Sequence, residues 1–278
     1  MTKERDRELL TSVIALATRA GEAILAIYHD SSRWQVQSKS DNSPLTAADL
    51  AAHAVIAAGL PELPLVAPLL SEESAPADLA DRRSWPRFWL VDPLDGTKEF
   101  LARNDEFSIN IALVEGDAAV LGVVHSPVTG VSHVAARGFG AFRVEAGVWQ
   151  PIRVAPLPQD GERVLRLTVS RRHGSDALQR FEQAVAAAMG PTQSLPAGSA
   201  FKICVVAEGL ADAYPRFGPT SEWDTAAAQV VLEEAGGYLL GPDGRAFRYN
   251  CRDTLLNGSF LAVGAEPERW LACWPEGE

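Results

Sequence analysis

Cysteine is nearly absent from this chain, and the few that occur form no pattern. Cys204, Cys251 and Cys273 are odd in number and far apart, with no C-x-x-C pair. That excludes a disulfide framework and a thiolate metal site, and it suits a reducing compartment. The five histidines never fall at the H-x-x-x-H spacing of a zinc helix. Positive charge is in the minority: 25 Lys and Arg against 36 Asp and Glu leave a formal net charge of −11. A field of that sign repels polymeric nucleic acid and anionic lipid. No run approaches the roughly 20 apolar residues of a membrane span, and there is no internal repeat or low-complexity segment. The charged start, Met1 to Glu8, lacks the apolar centre of a signal peptide, so the cytoplasm is the expected location.

What is present is material for a core. Of 278 residues 47% are apolar, with seven Trp and ten Phe, enough for one compact body whose two halves share an interior. The prolines around Pro151, Pro156 and Pro158 mark the boundary, giving halves of residues 1–150 and 151–278. Leu9, Leu10, Val13, Ile14, Ala17, Ile24, Leu25 and Tyr28 recur at helical spacing and predict a helix over 4–30. A second helix is expected from near Thr46 to Gly59. Apolar runs at 65–70 and 88–91 read as strands, and 107–114 and 119–125 as an antiparallel pair turning at 115–117. Further strands are expected at 131–135, 140–144, 164–169 and 211–214. Helices are expected at 176–189, 200–208 and 223–235, the last closed by Gly236-Gly237. Mixed strands with helices on both faces predict a layered α/β or α+β fold.

Three segments carry the chemistry: Ser71-Glu72-Glu73-Ser74, Asp92-Pro93-Leu94-Asp95-Gly96-Thr97, and Trp223-Asp224. Each has a plain reading by itself. Glu72 and Glu73 suit a solvated turn, Asp92 and Asp95 suit turn formation beside Pro and Gly, and Asp224 suits a helix start. Together they say more. Asp92 follows an apolar strand, Pro93 stiffens the bend, Asp95 can turn to the same point, and the Leu94 carbonyl offers another oxygen. Hard divalent ions such as magnesium take such oxygens. Without a cation, crowded carboxylates repel one another and their pKa values rise. Gly96-Thr97 then opens a helical turn whose backbone N–H groups can seat a phosphate. That would give a phosphorylated substrate the local reversal of sign that the acidic field demands.

These segments resemble the signatures of the inositol monophosphatase superfamily. The pattern W-x-[IV]-D-P-[IL]-D-G-T is met by Trp89 to Thr97. The pattern W-D-x-A-A is met by Trp223 to Ala227, followed by Glu234-Ala235-Gly236-Gly237, and Glu72-Glu73-Ser74 matches the acidic E-E-S. Within the superfamily, residues 40–49, Asp95 to Phe100 and Tyr214 to Thr220 are similar to the 3′(2′),5′-bisphosphate nucleotidase branch.

The resemblance implies a layered α/β/α/β/α sandwich of the inositol monophosphatase type. It makes Glu72, Asp92, Leu94 (through its carbonyl), Asp95 and Asp224 magnesium ligands, and Asp49 and Thr97 the catalytic pair that orients and deprotonates a water. Thr46-x-x-Asp49 also reads as a capping box. The implied reaction is metal-assisted hydrolysis of the 3′-phosphate of adenosine 3′,5′-bisphosphate to AMP and phosphate, in sulfur assimilation, with sensitivity to lithium. A second cation would stabilise the leaving oxygen. Substrate contacts fall on Glu72, Leu94, Asp95, Gly96, Thr97, His173, Ser199, Lys202, Arg216 and Asp224, with Ser199 and Lys202 spaced for one helix face. Lys202 and Arg216 also suit solvated charges, and His173 a structural or exposed loop position. Arg172 departs from the Ser-Arg-Ser-His run common in that branch. Other phosphatases of the superfamily, acting on inositol or sugar phosphates, and a non-catalytic phosphonucleotide-binding protein are the competing readings. Oligomeric state and weak peripheral membrane association are left open.

Overall fold

The structure is a computed structural model of the full chain. It describes residues 3–30, 32, 34, 36–38, 44–75, 79–159, 163–170 and 175–277. The elements in chain order are α1 (Lys3–Tyr28), β1 (Gln37–Ser38), β2 (Pro44–Leu45), α2 (Ala47–Gly59), β3 (Leu69–Ser71), β4 (Arg87–Asp95) and α3 (Thr97–Ala102). Then come β5 (Ser108–Glu115), β6 (Ala118–His125), β7 (Ser132–Ala136), β8 (Gly140–Glu145), β9 (Val148–Pro151), β10 (Leu165–Val169), α4 (Asp176–Met189) and β11 (Thr192–Pro196). The chain ends with α5 (Phe201–Ala207), β12 (Ala213–Arg216), β13 (Thr220–Ser221), α6 (Glu222–Glu234), β14 (Tyr238–Leu240), β15 (Leu256–Asn257), β16 (Phe260–Val263) and α7 (Pro267–Leu271).

Strand alternation sorts these elements into five layers. In β4, Trp89 and Val91 join the core beneath α1 and α2, while Phe88 and Leu90 face the opposite core with α5 and α6. The same split runs through β5: Ile109, Ile111 and Leu113 on one face, Ala112 and Val114 on the other. These strands belong to a seven-stranded sheet running from β3 through β9 in sequence order. A five-stranded sheet of order β11-β10-β12-β16-β14 lies on the far side of α5 and α6. Its Phe260 and Ala262 face those helices; Leu261 and Val263 face a third core with Phe181 of α4 and Trp270 of α7. The order α1/α2, sheet, α5/α6, sheet, α4/α7 is the α/β/α/β/α sandwich.

The middle helix layer is thin. Ala226, Ala227 and Ala228 of α6 are fully packed, and a Cβ at Gly122 of β6 would lie 2.2 Å from the Ala227 carbonyl oxygen. Only glycine allows that approach, which brings the start of α6 over the ends of β4 and β5.

Three sequence expectations need correction. The strand does not end before Asp92: β4 runs through Asp95, with Asp92 paired to Asn110 and Asp95 to Ser108. Three residues on β4 therefore span two on β5, a bulge with one extra residue. By length and composition α1 is a 26-residue helix apolar enough to cross a bilayer, although no apolar run approached that length. Its apolar residues are interspersed with polar ones, and Leu10, Val13, Leu16, Ala17, Ala20 and Ile24 are fully buried against the sheet. The segments 192–196 and 267–271, for which no strand or helix is expected above, are β11 and α7. Pro267 fixes the first turn of α7.

Candidate active site

The bulge in β4 aims the acids. Asp92 shares the parity of Phe88 and Leu90 and so faces α6. Two residues on, Leu94 should face α6 as well, but the extra residue reverses the parity. Leu94 enters the core under α1 and α2, and Asp95 turns to the α6 side. Asp224, in the first turn of α6, completes the group. Oxygens of Asp92, Asp95 and Asp224 lie within 4.8 Å of one another. Asp92 is buried, whereas Asp95 and Asp224 are partly accessible.

The electrostatics register the crowding. Burial, then the charges of Glu72, Asp95, Asp224 and Asp49, push the Asp92 carboxyl well above the usual range. Burial and the Asp95 charge push Asp224 up to about 8, against a bond from the Ser221 N–H that favours the ionised form. An oxygen-only donor set that repels itself in this way fits a hard divalent cation. Glu72 is not in the 4.8 Å group; it acts on Asp92 and Asp224 through its charge. Its backbone N–H donates to the Val91 carbonyl at 3.1 Å, which holds the loop at the end of β3 beside β4.

Each of the other carboxylates has one oxygen tied to the fold. Asp49 Oδ2 accepts from the Thr46 N–H at 2.8 Å and the Thr46 hydroxyl at 2.6 Å, a capping box at the start of α2. Its other oxygen, Oδ1, accepts from the Thr97 hydroxyl at 3.3 Å. The box and the predicted catalytic contact therefore coexist on one side chain. Thr97 Oγ1 is also 3.4 Å from the Leu94 carbonyl. Asp224 Oδ2 accepts from the Ser221 N–H at 2.8 Å. Asp95 Oδ2 accepts from the Ser199 hydroxyl at 2.5 Å, the Ala200 N–H at 2.6 Å and Asn110 Nδ2 at 3.4 Å.

Beside the acids opens a cleft of about 170 Å³. The predicted Asp95, Gly96, Ser199, Lys202, Arg216 and Asp224 all line it, together with Lys98, Glu99, Ser170, Tyr214 and Phe260. Glu72, Leu94 and Thr97 lie outside this lining. Gly96, at φ +94°, makes the turn from β4 into α3. Ser199 and Lys202 do not share a helix face. Ser199 precedes α5 in a left-handed conformation, φ +52°. Lys202, mostly buried, donates back to the Ser199 carbonyl at 2.6 Å and lies over the Tyr214 ring at 5.4 Å. Arg216 donates to Ser170 and to the Pro219 carbonyl, both at 3.3 Å, and its buried Nε has no partner among the described residues. His173 and its neighbour Arg172 lie outside the described residues.

Sequence reasoning missed Ser108 and Asn110, which face Asp95 from β5, as well as Ser170 and Phe260. Ser108 and Asn110 alternate with Ile109 and Ile111, which signals one face of a strand. Only the bulged register identifies the acids opposite them.

The sandwich and its acid-lined cleft define a metal-assisted phosphoester hydrolase class, and the chain belongs to the inositol monophosphatase family, whose model matches residues 5–272. Among curated proteins it is similar to the 3′(2′),5′-bisphosphate nucleotidase CysQ of Salmonella typhimurium, 45% identical over 252 residues, 91% of this chain and 98% of that protein. The CysQ of Haemophilus influenzae is 34% identical over 266 residues, 95% of this chain and 96% of that protein. Among solved structures, CysQ of Bacteroides thetaiotaomicron superposes with a TM-score of 0.77 at 39% identity, covering 92% of this chain and 97% of that one. The SuhB protein of Bartonella henselae, 23% identical with a TM-score of 0.75 over 96% of this chain and 98% of its own, shares the fold.

Proposed function

We propose that this chain is a magnesium-dependent 3′(2′),5′-bisphosphate nucleotidase that hydrolyses the 3′-phosphate of adenosine 3′,5′-bisphosphate to AMP and phosphate, in the cytoplasm, as part of sulfur assimilation. The observation that carries the reading is the convergence of Asp92, Asp95 and Asp224 within 4.8 Å beside the Thr97–Asp49 pair, on a chain 45% identical to a nucleotidase of that name.

Asp92, Asp95, Asp224, Glu72 and the Leu94 carbonyl would hold the cations. Bound there, divalent ions neutralise the phosphoryl charge and make water a better nucleophile. The chain's own residues set the geometry of the attack. Thr97 gives its proton to Asp49 and so meets a water with lone pairs only, which makes it an acceptor that orients the water. Asp49, anchored through Oδ2, accepts at Oδ1 the proton that Thr97 passes on as Thr97 takes one from the water. The first half of the chain, to about residue 150, supplies most of the acids. The second supplies Asp224 and the groups that bind the nucleotide. Lys202 has two ammonium protons beyond the one given to Ser199, and Arg216 has a buried unpartnered Nε; both suit a second phosphate. Tyr214 and Phe260 offer apolar surface to the nucleoside.

Release of inorganic phosphate from adenosine 3′,5′-bisphosphate tests the reading. It should require magnesium, fall at millimolar-scale lithium, and vanish in Asp92→Asn. A much higher kcat/KM on inositol 1-phosphate would transfer the chain to the inositol phosphatases. No magnesium-dependent release from any ester would leave a phosphonucleotide-binding protein.

A further inference from the structure

Ser199 lines the cleft, which makes a substrate contact the obvious role for it. The proton inventory argues otherwise. A serine hydroxyl has one proton and two lone pairs. The Asp95 carboxylate, 2.5 Å away, can only accept, so the proton of Ser199 is committed to it. The same oxygen is also in hydrogen-bond contact with Ser108 Oγ, whose own proton has the Asn110 Oδ1 acceptor at 2.9 Å. A phosphate ester is itself acceptor-only at neutral pH, so Ser199 has nothing to offer it without releasing Asp95.

We propose that Ser199 is a positioning residue for the cation site: with the Ala200 N–H, it fixes Asp95 Oδ2 and leaves the other oxygen to face a metal ion. The inference rests on the cation reading above but not on the identity of the substrate. The geometry around Ser199 is constructed for such a role. Its backbone is held in the left-handed region, φ +52°, which an ordinary residue adopts only at a cost. The Lys202 ammonium holds its carbonyl at 2.6 Å. Gly198 lets the loop lie against Glu106, where a Cβ would meet the Glu106 backbone oxygen at 2.7 Å. The loop that lines the cleft is thereby fastened to Asp95, so cation binding and nucleotide binding are coupled through the Ser199 hydroxyl and the Ala200 N–H.

The test is a Mn²⁺ titration of the protein without nucleotide, counting free Mn²⁺ by electron paramagnetic resonance, in the wild type, Ser199→Ala and Arg216→Met. Loss of a hydrogen bond behind a ligand weakens metal affinity about 10-fold or more, so Ser199→Ala should raise the Mn²⁺ dissociation constant by about that factor. Its kcat should recover at high magnesium. Arg216→Met should leave Mn²⁺ binding unchanged and raise the nucleotide KM. Circular dichroism checks whether Ser199→Ala is folded. Mn²⁺ affinity within twofold of the wild type in folded Ser199→Ala would overturn the proposal, whatever happens to KM. If the wild type hydrolysed no adenosine 3′,5′-bisphosphate, the functional reading would fail while the titration still decided the role of Ser199.

Discussion

The starts of α2 and α6 are built alike, and they end in different chemistry. Thr46-Ala47-Ala48-Asp49 and Ser221-Glu222-Trp223-Asp224 each place an aspartate three residues after a hydroxyl residue. In each, the first residue's N–H donates to the aspartate Oδ2 at 2.8 Å. This local device fixes one oxygen and aims the other. What the free oxygen meets depends on the layer across from it. Asp49 meets the Thr97 hydroxyl. Asp224 meets Asp92 and Asp95, and its carboxyl is pushed up to about 8 by burial and the Asp95 charge. On the proposed reading the same local motif supplies a proton acceptor at one helix and a cation ligand at the other, and only the tertiary neighbours separate them.

The comparison breaks most sharply on activity. Asp49→Asn and Asp224→Asn should each lower phosphate release by about 10²–10⁴-fold, read as kcat at saturating nucleotide. Raising magnesium should partly restore Asp224→Asn and leave Asp49→Asn unchanged.

Stability of the metal-free protein should separate the pair in sign. Removing a charge from the crowded group relieves repulsion, so Asp224→Asn should raise the melting temperature by about 2 °C or more. Asp49→Asn weakens a satisfied box and should lower it. The dependence on pH follows. The pKa of Asp224 is raised in the folded state, from 3.8 to about 8. Its stabilising contribution is therefore complete below the unfolded value and is lost as pH rises through about 8. Differential scanning calorimetry between about pH 6 and pH 9 should show the metal-free wild type losing more stability than Asp224→Asn, with magnesium narrowing the gap.

The smallest effect belongs to the cap itself. Thr46→Ala removes the hydroxyl that bonds Asp49 at 2.6 Å and accepts the Ala48 N–H at 3.1 Å. It should cost about 1 kcal/mol in urea unfolding, with activity reduced far less than in Asp49→Asn.

Much of this was legible from residue order. Regular apolar spacing marked α1, the expected helices at 46–59 and 176–189 correspond to α2 and α4, and the hairpin of β5 and β6 followed from two apolar runs around Glu115-Gly116-Asp117. The acids were legible because each sits beside a strand end or helix start. The bulge was not, because one extra residue in β4 shows only against its partner strand, and it is what turns Asp95 rather than Leu94 toward α6. For the same reason Ser108 and Asn110 went unnoticed. Ser199 was read as part of a helix, whereas its left-handed backbone and its bond to Asp95, 104 residues away in sequence, depend on contacts that spacing does not encode. β11 lacked strong apolar alternation because its edge position leaves most of its side chains accessible.

Gly122 sets a gauge for the whole molecule. Asp92 is carried by one sheet and Asp224 by the helix layer laid on it, so the gap between their carboxylates depends on how closely the two layers pack. That spacing is fixed where a hydrogen atom, and no carbon, faces the Ala227 carbonyl. A single added methyl there would act as a shim, lifting α6 from the sheet and drawing Asp224 away from Asp92 with neither residue touched.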